Sequence, residues 1–319
     1  MVGLSVVSAG FSLLELLIAM ALSLLMVLSA TTIFITCRSI YLTQDDSVRV
    51  SDNGRFAIET IGRAVAQAGF ADPGGVHRTA ALTIAPIAGL DNRSLKSTSP
   101  AIQSPVAQTV NGSDVLALHF NGSGNGDGGD GLVTNCAGFS VGRSDSDDMY
   151  TDRGWSIFYI AKDHTGEPEL YCKYRGKNAW ATAAIARGVE SFQVLYGVGE
   201  GNDAVPTRFL SATQIDSLDR GLSLTDASAR ARSQGIQHHS IWKKISQIKV
   251  ALLLRGSLPI RSDALAQRWD MFGAGYAGDE SDPGVHLDET DFAPSTRNRL
   301  RKLFRADFRV RNVALESMP

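Results

Sequence analysis

The sequence predicts an α+β protein in which one long N-terminal helix packs on a β-rich C-terminal globular domain. Three observations lead to this fold class. Residues 11–37 form an apolar run. Residues 40–68 lack proline and repeat apolar side chains at helical spacing. After Gly75, short β-like runs alternate with turn residues, without the strand–helix alternation that indicates a doubly wound sheet.

The composition is that of a folded protein without a basic surface. The 319 residues include 31 Lys+Arg and 33 Asp+Glu, so the formal net charge is −2. Hydrophobic residues make up 44% and charged residues 20%, which is ordinary for a globular chain. Bulk charge therefore gives no support to nucleic-acid binding, and nucleic acid is not an expected partner.

The apolar run at residues 11–37 is a predicted transmembrane helix. It reads FSLLELLIAMALSLLMVLSATTIFITC, and Glu15 is its only ionisable side chain before the terminal Cys37. At about 1.5 Å per residue it measures roughly 40 Å, more than the roughly 30 Å hydrocarbon core requires. The run is too long for the apolar region of a secretory signal peptide, and the small residues 8–10 precede it. A cut after Gly10 would leave the whole helix on the mature chain.

Glu15 is the most informative single residue, because placing a carboxylate in a membrane is costly. In one interpretation Glu15 lies one turn inside the helix, near the lipid headgroups, where hydration or protonation costs little. In the other, a cut after Gly10 creates a positive α-amine on Phe11. In a stack of axially offset helices, the carboxylate of one subunit would neutralise the amine of the next and fix their register.

The predicted helix continues beyond the membrane. Between residues 40 and 68 the apolar side chains recur on one side of a helix, and most charged side chains lie elsewhere. The apolar positions are Ala57, Ile58, Ile61, Ala64, Val65 and Ala68. Gly69 and the DPGG run at 72–75 predict the end of the helix.

The rest of the chain reads as short strands joined by loops. Runs rich in Val, Ile, Phe and Tyr predict strands at 115–120, 155–161, 170–174, 189–198, 245–255 and 308–313. Short helices are expected at 214–219 and 261–269. Pro, Ser and Asp predict long irregular loops at 84–108 and 279–296.

The N-terminus resembles a known processing signal. Residues 10–17 read GFSLLELL, which is similar to the class III signal of type IV prepilins and type II secretion pseudopilins. The resemblance implies that a prepilin peptidase cuts between Gly10 and Phe11, that Phe11 is N-methylated, and that Glu15 guides assembly with a neighbouring subunit. Residues 1–10 carry no Lys or Arg, unlike most such leaders, so the positive-inside rule specifies the topology only weakly.

Further segments resemble PilW-type minor pilins. They are NGRFA at 53–57, AGF at 68–70, GVESFQVLYG at 188–197, FLSA at 209–212, Trp242, VALLLR at 250–255 and FRVRNV at 308–313. The resemblance implies a type IV pilin-like fold with a leader at 1–10, a transmembrane helix at 11–37, its amphipathic extension at 38–69 and a periplasmic β-rich domain at 70–319.

As a minor pilin, the chain is expected to be non-enzymatic, to need no cofactor and to help prime pilus assembly. A position at the pilus tip is compatible with that role. The implied location is the inner membrane, with a single pass and a periplasmic C-terminal domain, and incorporation into the extracellular pilus is left open. The implied partners are the prepilin peptidase, other minor pilins, the major pilin, the inner-membrane assembly platform and the lipid bilayer.

The chain has three cysteines, and two of them lie in the domain that the resemblance places in the periplasm. An oxidising compartment permits a bond between them. We predict a Cys136–Cys172 disulfide that tethers the Gly-rich loop to a strand. Cys37 lies at the membrane boundary. No His/Cys cluster has zinc spacing, and no metal site is expected.

Two glycine motifs suggest chemistry that their context does not support. Residues 138–142 fit the G-x-S-x-G nucleophile elbow around Ser140, but an acidic loop follows where a helix is required. Residues 124–129 fit G-x-G-x-x-G within a Gly-rich run, without a following helix start, and a flexible loop is the better interpretation.

Acidic and basic clusters give similarly weak signals. The carboxylates of Asp127, Asp130, Asp145, Asp147 and Asp148 could gather around Ca²⁺, yet their spacing does not fit an EF-hand, and solvated loops are expected instead. The His238-His239 pair is expected at the surface or in a turn rather than in a metal site, because no carboxylate lies at helical ligand spacing. Lys243 and Lys244 beside Trp242 are too few to form a nucleic-acid groove.

Three alternatives to a pilus minor pilin stay open. A type II secretion pseudopilin shares the same N-terminal physics. A membrane-anchored periplasmic hydrolase would use Ser140 as its nucleophile. A tip adhesin is compatible with a minor pilin, and the sequence identifies no ligand for it.

Overall fold

The computed structural model describes residues 12–71, 85–144, 153–199, 205–221, 240–259, 261, 266–276 and 282–312. The chain divides into two compact units, Met1–Val48 and Arg49–Pro319. The predicted fold class is confirmed, because a long N-terminal helix with an apolar first half is followed by a domain built mainly of β-strands.

Helix α1 spans Leu13–Gln67 as one continuous element. Its apolar segment (residues 13–37) belongs to the first unit, and its domain half (residues 49–67) belongs to the second. The predicted amphipathic face is buried in the domain half, where Ala57, Ile61 and Val65 are fully buried. After the helix, Gly69 adopts a φ of +71°, a left-handed conformation that glycine tolerates best.

The first sheet is an antiparallel meander in the order β1-β2-β3-β4-β5. Its strands are β1 (Ile87–Leu90), β2 (Val115–His119), β3 (Trp155–Lys162), β4 (Pro168–Arg175) and β5 (Trp180–Arg187). The central strands are buried on both faces, because the main core covers one face and residues of the 91–108 loop cover the other. Lys173 secures that loop, since its Nζ donates to the carbonyl of Lys96 at 2.8 Å and to Ser99 Oγ at 3.0 Å.

The second sheet is also antiparallel and has the order β11-β8-β6-β7. Its strands are β6 (Val189–Gly199), β7 (Pro206–Leu210), β8 (Ile245–Arg255) and β11 (Arg301–Arg309). A two-stranded ribbon of β9 (Arg268–Asp270) and β10 (His286–Asp288) supplies the side chains that cover the outer face of β8. Helix α2 (Ala212–Arg220) follows β7 and starts with a capping box between Ser211 and Gln214.

The main core lies between the two sheets and the domain half of α1. Inward-facing side chains of β2, β3, β6 and β8 alternate with outward-facing ones, as the two-residue period of a strand requires. The largest inward-facing members include Leu116, Leu118, Phe158, Ile160, Phe192, Val194, Tyr196, Ile248, Val250 and Leu252. One continuous apolar cluster thus joins both sheets and the helix.

Two elements differ from the sequence prediction near the C-terminus. The last described strand starts at Arg301 rather than at residue 308 and ends at Arg309. Its RKLFRADFR sequence has charged residues at most of its exposed positions, so its strand character comes from pairing with β8 over nine positions. The prediction of a helix at 261–269 is wrong at its C-terminal end, because Arg268 and Trp269 lie in strand β9. Residues 262–265 lie outside the described part.

The predicted loops contain strands that depend on tertiary contacts. Strand β1 and an isolated bridge between Ser94 and Val106 lie within the expected loop at 84–108, and β10 lies within the one at 279–296. Strands β5 and β7 were also missed. Strand β5 has four Ala residues among its eight, and β7 has only five residues and begins with Pro, so the residues that favour strands are diluted in both.

The domain half of α1 approaches β11 closely at two glycines. A β-carbon added at Gly62 would lie 2.6 Å from the ring of Phe308, and one added at Gly54 would overlap the ring of Phe304. Lys302, on the same strand, donates from Nζ to Ser51 Oγ at 2.8 Å. The absence of a side chain at these glycines is therefore a packing requirement.

We expect Gly62→Val to destabilise the domain by about 1–3 kcal/mol, because the new side chain forces the Phe308 ring out of its place. Thermal unfolding of the full chain in detergent, followed by circular dichroism, measures the effect. Glu59→Val adds a β-branched residue on the exposed side of the same helix and should lower the midpoint much less. Equal midpoints for the two variants would contradict the packing account.

Candidate functional site

The apolar segment of α1 is the first candidate site, and its side chains are exposed. α1 is the one described helix long and apolar enough to cross a membrane. Leu13, Leu24 and Met26, for example, are 74–79% exposed. No other part of the described chain covers these side chains, as expected of a surface covered by lipid or by other helices.

The polar side chains of this segment are satisfied within the helix. Each of its five hydroxyl side chains donates to a backbone carbonyl three or four residues earlier, at 2.8–2.9 Å. They are Ser23, Ser29, Thr31, Thr32 and Thr36. Because hydrocarbon offers no hydrogen bonds, this back-bonding lets the hydroxyls enter a membrane without an unsatisfied donor.

Of the predicted processing residues, Gly10 and Phe11 lie outside the described part of the chain. Glu15 is described, in the first turn of α1. The backbone N–H of Glu15 donates to Ser12 Oγ at 3.2 Å, and the backbone N–H of Ser12 donates to Glu15 Oε2 at 3.5 Å. This reciprocal arrangement is a capping box, and its S-x-x-E pattern was visible in the sequence. Glu15 thus has a local role at the helix N-terminus, where the helix dipole also favours a carboxylate.

The structure joins Cys136 and Cys172 in a disulfide, with Cα atoms 5.9 Å apart. Cys172 lies on β4 and is fully buried, while Cys136 lies in the loop between β2 and β3. The backbone N–H of Cys136 donates to Ser156 Oγ on β3 at 2.9 Å. The loop is therefore attached to the first sheet by both a covalent bond and a hydrogen bond.

Ser140 does not sit in a nucleophile elbow. It forms an isolated antiparallel bridge with Thr134, and the N–H of Val141 donates to the carbonyl of Val133 at 2.9 Å. A nucleophile elbow requires a strand, a sharp turn and a helix in succession. Residues 141–144, the described residues that follow Ser140, are not helical. Ser140 therefore lies in a loop whose two arms are joined by backbone hydrogen bonds.

The Gly-rich run at 121–131 is a loop, and the structure gives its two described candidate calcium ligands other partners. Asp127 forms an exposed ion pair with Lys177 at 3.1 Å, and this neighbour lowers the pKa of Asp127. Asp130 accepts from Ser123 Oγ and from the N–H of Leu132. The remaining members of that predicted group, Asp145, Asp147 and Asp148, lie outside the described residues.

Trp242 is part of the main hydrophobic core, and Lys243 beside it is buried. The Trp242 indole packs edge-on against Tyr196, with ring centroids 4.8 Å apart, and its Nε1 donates to Asp216 Oδ1 at 2.9 Å. Lys243 is largely buried, and this burial lowers the pKa of its ammonium. The pair Lys243 and Lys244 therefore does not present two exposed cations. The His238-His239 pair lies outside the described residues.

One acidic cluster was not indicated by the sequence. Among the described residues, Asp91, Asp114 and Asp282 each place a carboxylate oxygen within 4.8 Å of the other two. Burial, followed by the charges of Asp91 and Asp282, raises the pKa of Asp114 well above its usual range. Burial and nearby carboxylates likewise raise the pKa of Tyr196. The three aspartates are far apart in sequence, so no spacing motif could have grouped them.

About half of the chain matches a known protein family, in a region that runs from β3 to the end of the second sheet. Residues 157–312 match PilW, the Type IV Pilus-assembly protein W family. The family resemblance predicted from the sequence is thereby confirmed over this region. No curated protein matches the chain.

The PilW match supports a role in type IV pilus assembly. The apolar helix that precedes the matched region supports membrane anchoring of the C-terminal domain. Three of the PilW-like segments, at 188–197, 250–255 and 308–313, overlap β6, β8 and β11. These strands are neighbours in the second sheet, so segments distant in sequence lie side by side.

A solved structure was also found, a type IV-like pilin from Thermus thermophilus. It covers 84% of this chain and 100% of its own length at 14% identity, with a TM-score of 0.34. A TM-score this low does not establish a common fold.

We predict that the disulfide stabilises the domain substantially. For cysteines separated by 36 residues, the loop-entropy relation gives about 4 kcal/mol. The double variant Cys136→Ala, Cys172→Ala should unfold at a markedly lower temperature than the oxidised wild type, and reductant should lower the wild-type midpoint in the same direction. Cys37→Ala is the control and should leave the midpoint unchanged. Three titratable thiols in the denatured, non-reduced protein would refute the bond.

Proposed function

We propose that this protein is a minor pilin that helps to prime the assembly of type IV pili, acting through protein–protein association. The observation that carries the proposal is the PilW match at 157–312 on the same chain as an exposed apolar helix. The prepilin-like residues Gly10, Phe11 and Glu15 at the start of that helix add to it. A position at the pilus tip is part of the proposal.

The proposed order of events starts in the inner membrane. The prepilin peptidase removes residues 1–10 and leaves Phe11 as the N-methylated first residue. Residues 11–37 then span the bilayer, residues 38–69 extend the helix, and residues 70–319 form the periplasmic domain. In this location the Cys136–Cys172 disulfide forms in an oxidising compartment. The non-enzymatic role agrees with the loop geometry around Ser140.

Association in the bilayer would rest on helix packing and one charge pair. Small side chains let helices approach closely, and the apolar segment contains Ala19, Ala21, Ser23, Ser29 and Ala30. The Glu15 carboxylate would neutralise the Phe11 amine of a neighbouring subunit. Each group is costly in lipid on its own, so neutralisation favours the axial offset that brings the two together.

Association outside the bilayer would rest on the domain. Its partners are other minor pilins, the major pilin and the assembly platform. The exposed surface of the domain would make these contacts, because the central strands β6 and β8 are themselves buried. Such an interface needs a rigid surface, and the shared core of the two sheets and the domain half of α1 supplies one.

N-terminal sequencing and intact-mass measurement of the protein from membranes test the processing step. With an active prepilin peptidase, we expect a chain that starts at N-methylated Phe11; in cells lacking the peptidase, the chain should retain residues 1–10. Gly10→Ala should block the cut, whereas Gly3→Ala, in the same leader, should not. An uncut chain in peptidase-positive cells would overturn the assignment, and loss of secretion with normal piliation on deletion would indicate a pseudopilin.

Substitutions of Glu15 separate its charge from its capping role. Glu15→Gln keeps a capping-box side chain but removes the charge, and Glu15→Val removes both. If neutralisation of the neighbour's amine is the function, both variants should insert normally but reach the sheared pilus fraction roughly tenfold less, as expected for a loss of about 1.4 kcal/mol. The amount in pili relative to membranes, measured by immunoblotting, is the readout.

Glu15→Asp, which keeps the charge, is the matched control and should retain most of the incorporation. Wild-type incorporation of Glu15→Gln together with loss in Glu15→Val would show that only the helix cap matters. That result would contradict charge neutralisation while leaving the cleavage result, and with it the pilin assignment, intact.

A further inference from the structure

The acidic cluster of Asp91, Asp114 and Asp282 is built by three separate segments of the domain. Asp91 follows the last residue of β1, and Asp114 precedes the first residue of β2. The register of these paired strands places the two aspartates opposite each other. Asp282 comes from the segment before β10. Gln193 holds that segment in place, because its Nε2 donates to the carbonyls of Gly112 at 3.0 Å and Pro283 at 3.4 Å.

Backbone donors fix the direction of two of the carboxylates. Asp91 accepts from the N–H groups of Ala212 and Thr213, at 2.9 and 2.7 Å, at the start of α2. Asp114 accepts from the N–H groups of Asn92 and Val194, at 3.1 and 2.9 Å. Each oxygen of these two carboxylates therefore accepts one hydrogen bond. Because a carboxylate oxygen has two lone-pair sites, each retains one for another ligand.

A buried hydroxyl faces the cluster. Tyr196 is 1% exposed, and in the part of the chain that the structure describes its Oη has no hydrogen-bond partner. The hydroxyl lies against Gly89, where a β-carbon would overlap it. Gly89 is two residues before Asp91, so the hydroxyl lies over the face of β1 from which Asp91 projects. On β6, Tyr196 is two residues after Val194, the donor to Asp114.

We propose that Asp91, Asp114 and Asp282 bind one Ca²⁺ ion, with the Tyr196 hydroxyl donating to a ligating carboxylate or to a water on the ion. Three convergent carboxylates, two of them with lone pairs that accept no other hydrogen bond, supply the hard oxygen ligands that Ca²⁺ prefers. Water completes a shell of six to eight ligands. The ion would compensate negative charge gathered beside a wholly buried side chain. It would also give the buried hydroxyl an acceptor of fixed position.

The chemistry of the two ions favours Ca²⁺ over Mg²⁺. The oxygens of the cluster lie within 4.8 Å of one another, close enough to share one ion. Ca²⁺ accepts six to eight oxygen ligands in flexible geometry, whereas Mg²⁺ demands a near-ideal octahedron and gives up its water reluctantly. A set of carboxylates whose directions are fixed by backbone donors therefore suits Ca²⁺ better.

A bound ion would connect the two sheets. Asp91 and Asp114 belong to the first sheet, yet they hold the start of α2 and the middle of β6. Asp282 adds the segment that leads into the outer ribbon. Ca²⁺ would therefore stabilise the folded domain by linkage, by an amount that rises with the logarithm of the ratio of free Ca²⁺ to its dissociation constant. This inference does not depend on the pilin assignment.

Terbium luminescence and calcium-dependent melting test the site on the full chain in detergent after treatment with a chelator. Tb³⁺ should show emission sensitised by Tyr and Trp, since Tyr196 and Trp242 are close to the cluster, and Ca²⁺ should displace it. Equilibrium dialysis should give one Ca²⁺ per chain, and CaCl₂ should raise the unfolding midpoint by several degrees while equimolar MgCl₂ does much less. Absence of Ca²⁺ binding by the wild type would overturn the proposal.

The variants assign the ion to these residues. Asp282→Asn should abolish both the sensitised emission and the Ca²⁺-dependent rise of the midpoint. Asp127→Asn removes one carboxylate from the exposed Gly-rich loop and should retain both. If Asp282→Asn binds as tightly as the wild type, or if Asp127→Asn loses binding instead, the ion lies elsewhere and the proposal is wrong. The wild-type stoichiometry keeps the test decisive should Asp282→Asn fail to fold.

Discussion

The close contact between the domain half of α1 and β11 is the constraint on which the rest of the domain depends. Gly54 and Gly62 leave room for the rings of Phe304 and Phe308 beside the helix backbone. Because Lys302, Phe304 and Phe308 project from the same face of β11, the helix packs on that face. Its fully buried residues Ile61 and Val65 enter the main core.

Polar groups that the core encloses are paired across the strands of the second sheet. Arg301 on β11 donates from Nε to Glu190 Oε2 on β6 at 2.6 Å, and Arg255 on β8 pairs with Oε1 of the same carboxylate at 3.2 Å. The Arg301 guanidinium also lies 4.0 Å from the ring centroid of Phe292. Desolvation offsets much of the attraction in such a buried network, so its net contribution to stability is small, whereas removal of one partner alone leaves an uncompensated buried charge.

The sequence predicts the helices and strands well where apolar residues follow one another closely. Helix α1 and strand β8 were predicted closely, because a long apolar run and an uninterrupted VALLLR segment leave few alternatives. The predicted position of strand β11 is too far toward the C-terminus. Its charged residues do not form a recognisable strand pattern, and the strand forms by pairing with β8. The Ser12–Glu15 capping box could have been read from its spacing. The Asp91, Asp114 and Asp282 cluster could not, since only the register of β1 against β2 and the path of the 282–284 segment bring them together.

The internal hydrogen bonds of the five hydroxyls in the apolar segment have a mechanical consequence. Each of these hydroxyls donates to a carbonyl of its own helix. Sliding or rotating this helix against an apolar neighbour therefore breaks none of these hydrogen bonds. Resistance to such sliding then comes from the shape of the contact and from the single carboxylate at one end. In a bundle of such helices, shear between neighbours would be opposed by side-chain packing and not by interhelical hydrogen bonds from these hydroxyls.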